Sequence, residues 1–328
     1  MGAITDVPGV KVGQAEDAVA LTGVTVVIFP DGAVAGVDVR GASPGTRETD
    51  LLDPANTVQK INAIALCGGS AFGLAAATGV VRYLREQGQG FETPYGKVPI
   101  VPAAVIYDLG VGQPDVYPDD IMGYQASRLA GSSVTEGNAG AGAGASIGKV
   151  LGSSGSMKSG IGTSSATLNL AVPGLPPARF TVGVLVVTNA FGDVYLGEQV
   201  LAGARLSVGG FVNTSYLLRE GVSQPPATGT NTTLAVIATD APLTKAGTTR
   251  LATMAHDGLA RAIRPVHTMF DGDTIFAVST GGLPASSDPD ALLVTALGSL
   301  AADLLVEAVQ RSVTTATTAG GIPALATV

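Results

Sequence analysis

The chain has 328 residues, 46 % of them hydrophobic and only 13 % charged, with a formal net charge of −8. An acidic balance with no Lys/Arg cluster speaks against nucleic acid as a partner. Apolar runs such as VGVLVVTNAF and TVVIFP fall well short of the ~18 residues that a spanning helix needs, so no membrane partner is expected.

Charged residues at about half the usual ~25 % suggest a surface largely covered by other subunits. The start, MGAITDVPGVKVG, has no basic stretch leading into an apolar core, and the only cysteine, Cys67, cannot form an internal disulfide. Both features fit a cytoplasmic protein.

In chain order, the patterns predict strands over 23–30 (GVTVVIFP), 33–39 and 61–66, then a helix over 71–87 and another near 119–130. Strands follow over 180–189, 193–198 and 233–239, then a helix over 241–263, a strand over 274–280 and a last helix over 289–313. Runs of β-branched and small residues bounded by Gly, Pro or Asn carry the strand assignments. Leu251, Met254, Ala255, Leu259 and Ala262 recur at helical spacing in the third helix, with Pro242 in its first turn. Leu293, Leu297, Leu300 and Leu304 make a core stripe in the last. Strands and helices come in blocks, which predicts an α+β fold with layered sheets in one domain spanning 1–328. Residues 131–168 have the composition of a Gly/Ser linker, but central strands follow them. An ordered segment whose backbone approaches a site closely is the better reading.

Two familiar motifs fail. GAGASIGKV has Ala143 where a phosphate-binding loop needs its first glycine and Val150 where it needs a hydroxyl. CGGSAFG has Phe72 where a nucleophile elbow around Ser70 needs a glycine. His256 and His267 have no carboxylate motif beside them and read as structural, and Cys67 reads as a small core residue. A hydrolase without these groups needs another base. A free α-amino group, with a pKa of about 7.7–8, can activate a hydroxyl on its own residue. TGTNTTLAVIATDAPLT, residues 228–244, places Thr232 at the mouth of a buried strand after small polar residues. Self-cleavage before Thr232 would create that arrangement; on this stretch alone, a plain strand cap explains the residues as well.

Taken together, DVPGVKVG, GVDVRGASPGTRETDLL, LCGGSAFGLAAATGV, PIVPAAVIYDL, GNAGAGAGASIGK, NTTLAVIATDAPL and HTMFDGDTIFAVST resemble, in order, the P1 peptidase family. These are self-cleaving L-aminopeptidase/D-esterases and β-peptidyl aminopeptidases, with the nylon-oligomer (6-aminohexanoate oligomer) hydrolases among them. The resemblance implies a four-layer α/β/β/α fold of the N-terminal-nucleophile-hydrolase type. It also implies cleavage between Asn231 and Thr232, giving an α chain of 1–231 and a β chain of 232–328. Thr232 would be the nucleophile and Asn189 the amide donor to the oxyanion. Asp271 and Asp273 would orient the Thr232 amine and hydroxyl, while Tyr107 and Lys149 would complete the hydrogen-bond network.

No metal or organic cofactor is implied, and four αβ units would assemble. Each residue also has a plain structural reading: strand cap, loop turn, core tyrosine or solvated lysine. A threonine nucleophile with an Asp pair resembles the nylon-oligomer branch more than the β-aminopeptidases, which typically use serine and a Ser/Glu pair. The expected activity is amide hydrolysis of short peptides or oligoamides through an acyl-enzyme. Three alternatives stay open: an aminopeptidase acting on β- or D-amino-acid N-termini, an acyltransferase of the ornithine acetyltransferase type, and an unprocessed binding protein.

Overall fold

The computed structural model describes residues 2–170, 177–206, 209–221, 231–283 and 291–327. Its centre is a nine-stranded sheet. In chain order the strands are β1 (Lys11–Asp17), β2 (Thr22–Val39), β3 (Thr46–Arg47), β4 (Lys60–Cys67), β5 (Ala103–Val105), β6 (Ile161–Leu170), β7 (Ala178–Asn189), β8 (Thr232–Thr239) and β9 (Thr274–Ser279). They lie in the order β6-β7-β8-β9-β2-β4-β5-β3, with β1 also paired to β2. The helices are α1 (Ala76–Glu86), α2 (Asp120–Arg128), α3 (Thr214–Glu220), α4 (Lys245–Ala262) and α5 (Ala291–Thr314).

Alternation along the strands builds four layers. In β8, Leu234, Val236 and Ala238 face an inner core shared with Phe276 and Val278 of β9 and with Ile64 and Leu66 of β4. Ala235 and Ile237 face the other way, against Leu251, Ala255 and Leu259 of α4 and Leu297, Ala301 and Leu305 of α5. On the far side, Val24, Val26, Ala63 and Ala65 pack on Ala77, Val80 and Leu84 of α1 and on Ala126 of α2. The side-chain period of two makes each strand serve two cores at once.

The two central layers belong to one hydrogen-bonded sheet, because β2 passes from one layer to the other. Its first part pairs with β4 and β1 and its last part with β9. The register shifts between Ile28 and Ala33, where Gly32 takes φ +71°. The break expected at residues 31–32 is therefore a bulge inside one strand.

Helix ends follow local chemistry. The Asp119 side chain accepts the Met122 N–H at 2.9 Å to start α2, and Thr244 accepts the Gly247 N–H at 3.1 Å to start α4. The helix expected from residue 71 begins as a 3₁₀ turn, Ser70–Ala75, before α1. α5 is long and apolar enough to cross a membrane by length and composition, which the short apolar runs in the sequence do not suggest. It is a core helix here, with Leu293, Leu297, Ala301, Leu304 and Ala308 buried. Residues 137–148 are ordered and mostly buried rather than a linker.

Candidate active site

Thr232 is the first residue of β8, a strand with neighbours on both sides. Across the antiparallel pairing it faces Asn189, the last residue of β7. The parallel pairing with β9, which sets Leu234 opposite Thr274, runs back through a bridge between Asn231 and Asp271. Gly272 therefore lies beside Thr232. Its N–H donates to the Asn231 carbonyl at 2.9 Å, and the Thr233 N–H donates to Asp273 Oδ1 at 2.7 Å. The Thr232 hydroxyl donates to the same Asn231 carbonyl oxygen at 2.5 Å.

The Asp271–Asp273 loop is held from its other side by the end of β2 and the residues after it. The N–H groups of Arg40 and Gly41 donate to the Asp273 carbonyl at 3.0 and 3.2 Å, and the Ser43 N–H donates to the Asp271 carbonyl at 2.9 Å. Glycine is required at 272 by crowding: a Cβ there would stand 2.7 Å from Thr232 Oγ1 and 2.6 Å from the Ser43 carbonyl oxygen. The small-residue loop expected before Thr232 falls mostly on residues 222–230, which lie outside the described residues.

Asn189 is fully buried and engaged at both ends of its amide. Its Oδ1 accepts from Lys149 Nζ at 2.7 Å and from the Ser146 N–H at 3.1 Å, and its Nδ2 donates to the Tyr107 carbonyl at 3.0 Å. Tyr107 thus enters the network through its backbone carbonyl. Lys149 follows Gly148, whose φ of +66° and close approach to Ala204 N leave no room for a side chain. Burial pulls the Lys149 ammonium down to about 7, with the Asp271 and then the Asp108 carboxylate partly opposing it. A second buried lysine, Lys158, ties the Gly-rich segment down by donating to the carbonyls of Gly142, Ala145 and Ser159 at 3.1, 2.8 and 2.8 Å.

The two aspartates are buried and occupied. Asp271 Oδ1 accepts the Phe191 N–H at 3.2 Å, and its Oδ2 accepts the Thr268 N–H at 3.0 Å and the Thr268 hydroxyl at 2.5 Å. Burial, and next the neighbouring Asp273 charge, push the Asp271 carboxyl up to about 6. Asp273 Oδ2 accepts from His267, through both its backbone N–H at 3.0 Å and its ring Nδ1 at 2.8 Å. Asp273 therefore braces the backbone beside Thr232, whereas the Asp271 carboxylate ties Phe191, just past Asn189, to Thr268.

The site contains Gly272, Thr268 and Ser146, which the sequence did not single out, and it corrects one reading: the histidines, expected to stand without a carboxylate beside them, run into Asp273 through His267 Nδ1 at 2.8 Å. The only signal available was that His267 and Thr268 share the HTMFDGDT block with the aspartates. Ser70 does take a left-handed φ of +54° at a strand-to-helix turn, as an elbow serine would. The histidines that such a serine would need are instead hydrogen-bonded to each other and to Asp273. Cys67 is buried, and burial pushes its thiol up to about 12, as suits a core residue.

Known proteins resemble this chain along nearly its whole length. The model of peptidase family S58 matches residues 2–325. An uncharacterized aminopeptidase of Mycobacterium bovis is 44 % identical, the alignment covering 98 % of this chain and 96 % of that protein. A 6-aminohexanoate-oligomer endohydrolase of a Kocuria species is 31 % identical over 93 % of this chain and 84 % of that one. Among solved structures, the L-aminopeptidase D-Ala-esterase/amidase of Ochrobactrum anthropi, described as a variant of the Ntn hydrolase fold, superposes with a TM-score of 0.71. It covers 98 % of this chain and 88 % of its own at 22 % identity, a likeness of fold. The chain belongs to peptidase family S58, with the layered Ntn-hydrolase architecture that its strand pattern and motif blocks led us to expect.

Proposed function

We propose that the protein cuts itself between Asn231 and Thr232 and then works as an N-terminal-threonine amidohydrolase on short peptides or linear oligoamides. One observation carries this reading. The Thr232 hydroxyl lies against the carbonyl of the preceding residue, and the Gly272 N–H donates to that same oxygen at 2.9 Å. In the uncut chain the Thr232 nitrogen is an amide and has no basicity, so another group must take the hydroxyl proton. Lys149, held near 7 and bonded to the Asn189 side chain opposite Thr232, is the base for that first step. Oγ1 attacks the Asn231 carbonyl carbon, the C–N bond breaks as the nitrogen takes up a proton, and water hydrolyses the resulting ester. This frees the Asn231 carboxylate and the Thr232 amine.

With the amine free, Thr232 carries base and nucleophile in one residue. Its hydroxyl attacks a substrate carbonyl, the leaving amine takes the proton, and water resolves the acyl-enzyme. An amide nitrogen has two hydrogens. Asn189 commits one to the Tyr107 carbonyl and has the second to offer to the oxyanion, a contribution of about 3–4 kcal/mol. The oligoamide class is supported by the 31 % identical 6-aminohexanoate-oligomer endohydrolase and by the Asp271/Asp273 pair. Assembly into four αβ units is supported by the 13 % charge content and by exposed side chains such as Phe72, Tyr95 and Ile121. A cytoplasmic site of action is supported by the lone, buried cysteine.

The test is direct. Purified protein should yield a fragment of about 10 kDa that begins Thr-Thr-Leu-Ala. Thr232→Ala should stay whole and inactive, while Thr232→Ser keeps part of both activities. A Thr232→Ala protein that hydrolyses amides would sink the mechanism.

A further inference from the structure

The two histidines form a hydrogen-bonded chain that runs into the Asp271–Asp273 loop, and its ends fix how many protons it holds. His256 Nε2 lies 3.0 Å from the Asp38 carbonyl oxygen. A carbonyl only accepts, so that nitrogen carries a proton. At the other end, His267 Nδ1 lies 2.8 Å from Asp273 Oδ2, an oxygen that also accepts the His267 backbone N–H, so Nδ1 donates. Between the rings, His256 Nδ1 and His267 Nε2 are 3.2 Å apart, and one of them must donate to the other. Three hydrogen bonds need three protons on two rings. With a donor at every contact, one of the two rings carries both of its protons.

The surroundings decide which. His256 is fully buried on α4. Burial, with the nearby His267 and Arg40 charges adding to it, holds its pKa near 4 against the opposing pull of Asp38. Arg40 is itself paired with the Asp38 carboxylate at 3.0 Å. His267 keeps 17 % of its side chain exposed and touches the Asp273 carboxylate, with Asp271 next along the loop and Lys149 facing Asp271. The His267 backbone is also held at φ +56°, a conformation that L-residues avoid unless their surroundings enforce it.

We infer that His267 is kept as an imidazolium and acts as a positioning residue for Thr232. Its ring Nδ1 donates to Asp273 Oδ2 at 2.8 Å and so orients that carboxylate. Asp273 in turn holds the Thr233 N–H at 2.7 Å and so fixes the head of β8. His256 selects the charge state by offering only an acceptor to His267. The inference rests on Thr232 being the nucleophile.

The chain has two histidines, so imidazole nitrogen NMR on the full ring-labelled protein at neutral pH contains two rings, assigned with His256→Gln. The expected spectrum has His267 protonated on both nitrogens and His256 protonated on Nε2 alone. Two neutral rings, or the cation on His256, overturn the inference. His267→Asn keeps a donor toward Asp273 but removes the charge. It should slow self-cleavage, followed as fragment formation over time, by tenfold or more. An unchanged rate overturns the inference, and if the variant does not fold, the wild-type spectrum decides. The two readings fail separately: neutral rings leave the Thr232→Ala result untouched, and an active Thr232→Ala protein leaves the ring protonation as it is.

Discussion

Replacing Gly272 with alanine tests whether the Thr232 hydroxyl occupies its reacting position. Gly272 does not have a positive φ, so alanine meets no backbone penalty there. Its Cβ, however, would stand 2.6 Å from the Ser43 carbonyl oxygen, 2.7 Å from Thr232 Oγ1 and 3.1 Å from Pro44 Cα. Carbon and oxygen settle at about 3.3–3.6 Å, so the hydroxyl or the loop must retreat by about 0.7 Å. A misplacement of about 1 Å costs roughly a hundredfold in rate, so self-cleavage should slow by about ten- to a hundredfold. Overpacking adds a stability loss of about 1–3 kcal/mol. Fragment formation on denaturing gels and a thermal melt measure the two effects. Gly110→Ala is the control, since a Cβ there meets nothing within 4 Å. A folded Gly272→Ala protein that processes at the wild-type rate would show that Oγ1 reacts from somewhere else.

Lys158→Met should lower unfolding stability by about 2–3 kcal/mol in a denaturant titration, because the carbonyls of Gly142, Ala145 and Ser159 lose a buried donor. The acid limb of stability should carry a His256 contribution. Its folded pKa, near 4, lies below the ordinary 6.5. Below pH 6.5 the unfolded chain therefore takes up a proton that the folded chain refuses. Stability should fall by about 3 kcal/mol between pH 6.5 and 4, and His256→Gln should flatten that slope.

The legible parts of the fold were those where each strand buries apolar side chains on both faces. TLAVIAT and TIFAVST are β8 and β9 nearly to the residue because their alternation serves two cores. β6 was missed because IGTSSATLNL reads as polar. Its small residues are there to admit a helix: a Cβ on Gly162 would collide with the Ala308 carbonyl, and the Ser164 hydroxyl donates to the Leu304 carbonyl at 2.8 Å. Propensity discards glycine and serine where close packing selects them. In the site, the FDGDT turn and Thr232 were visible as local patterns, joined by the resemblance. The histidine chain was not, because Asp273 meets His256 through His267, and the chain ends on the Asp38 carbonyl of β2, far away in the sequence. The role of Gly272 depends on a neighbour that becomes adjacent only when β8 and β9 pair in parallel.

The strand order also bears on how the molecule could be rebuilt once unfolded. β8 and β9, with α4 and α5, follow Thr232, whereas the strands on either side of that pair, β7 and β2, precede it. An uncut chain folds as one body, at a rate independent of concentration. After scission at Thr232 the inserted pair would have to find its slot by collision, making refolding second order and dilution its enemy. Opening the slot means breaking the sheet on both sides, so the halves would part only by unfolding. The cut form would then persist by the height of its unfolding barrier, with little return traffic.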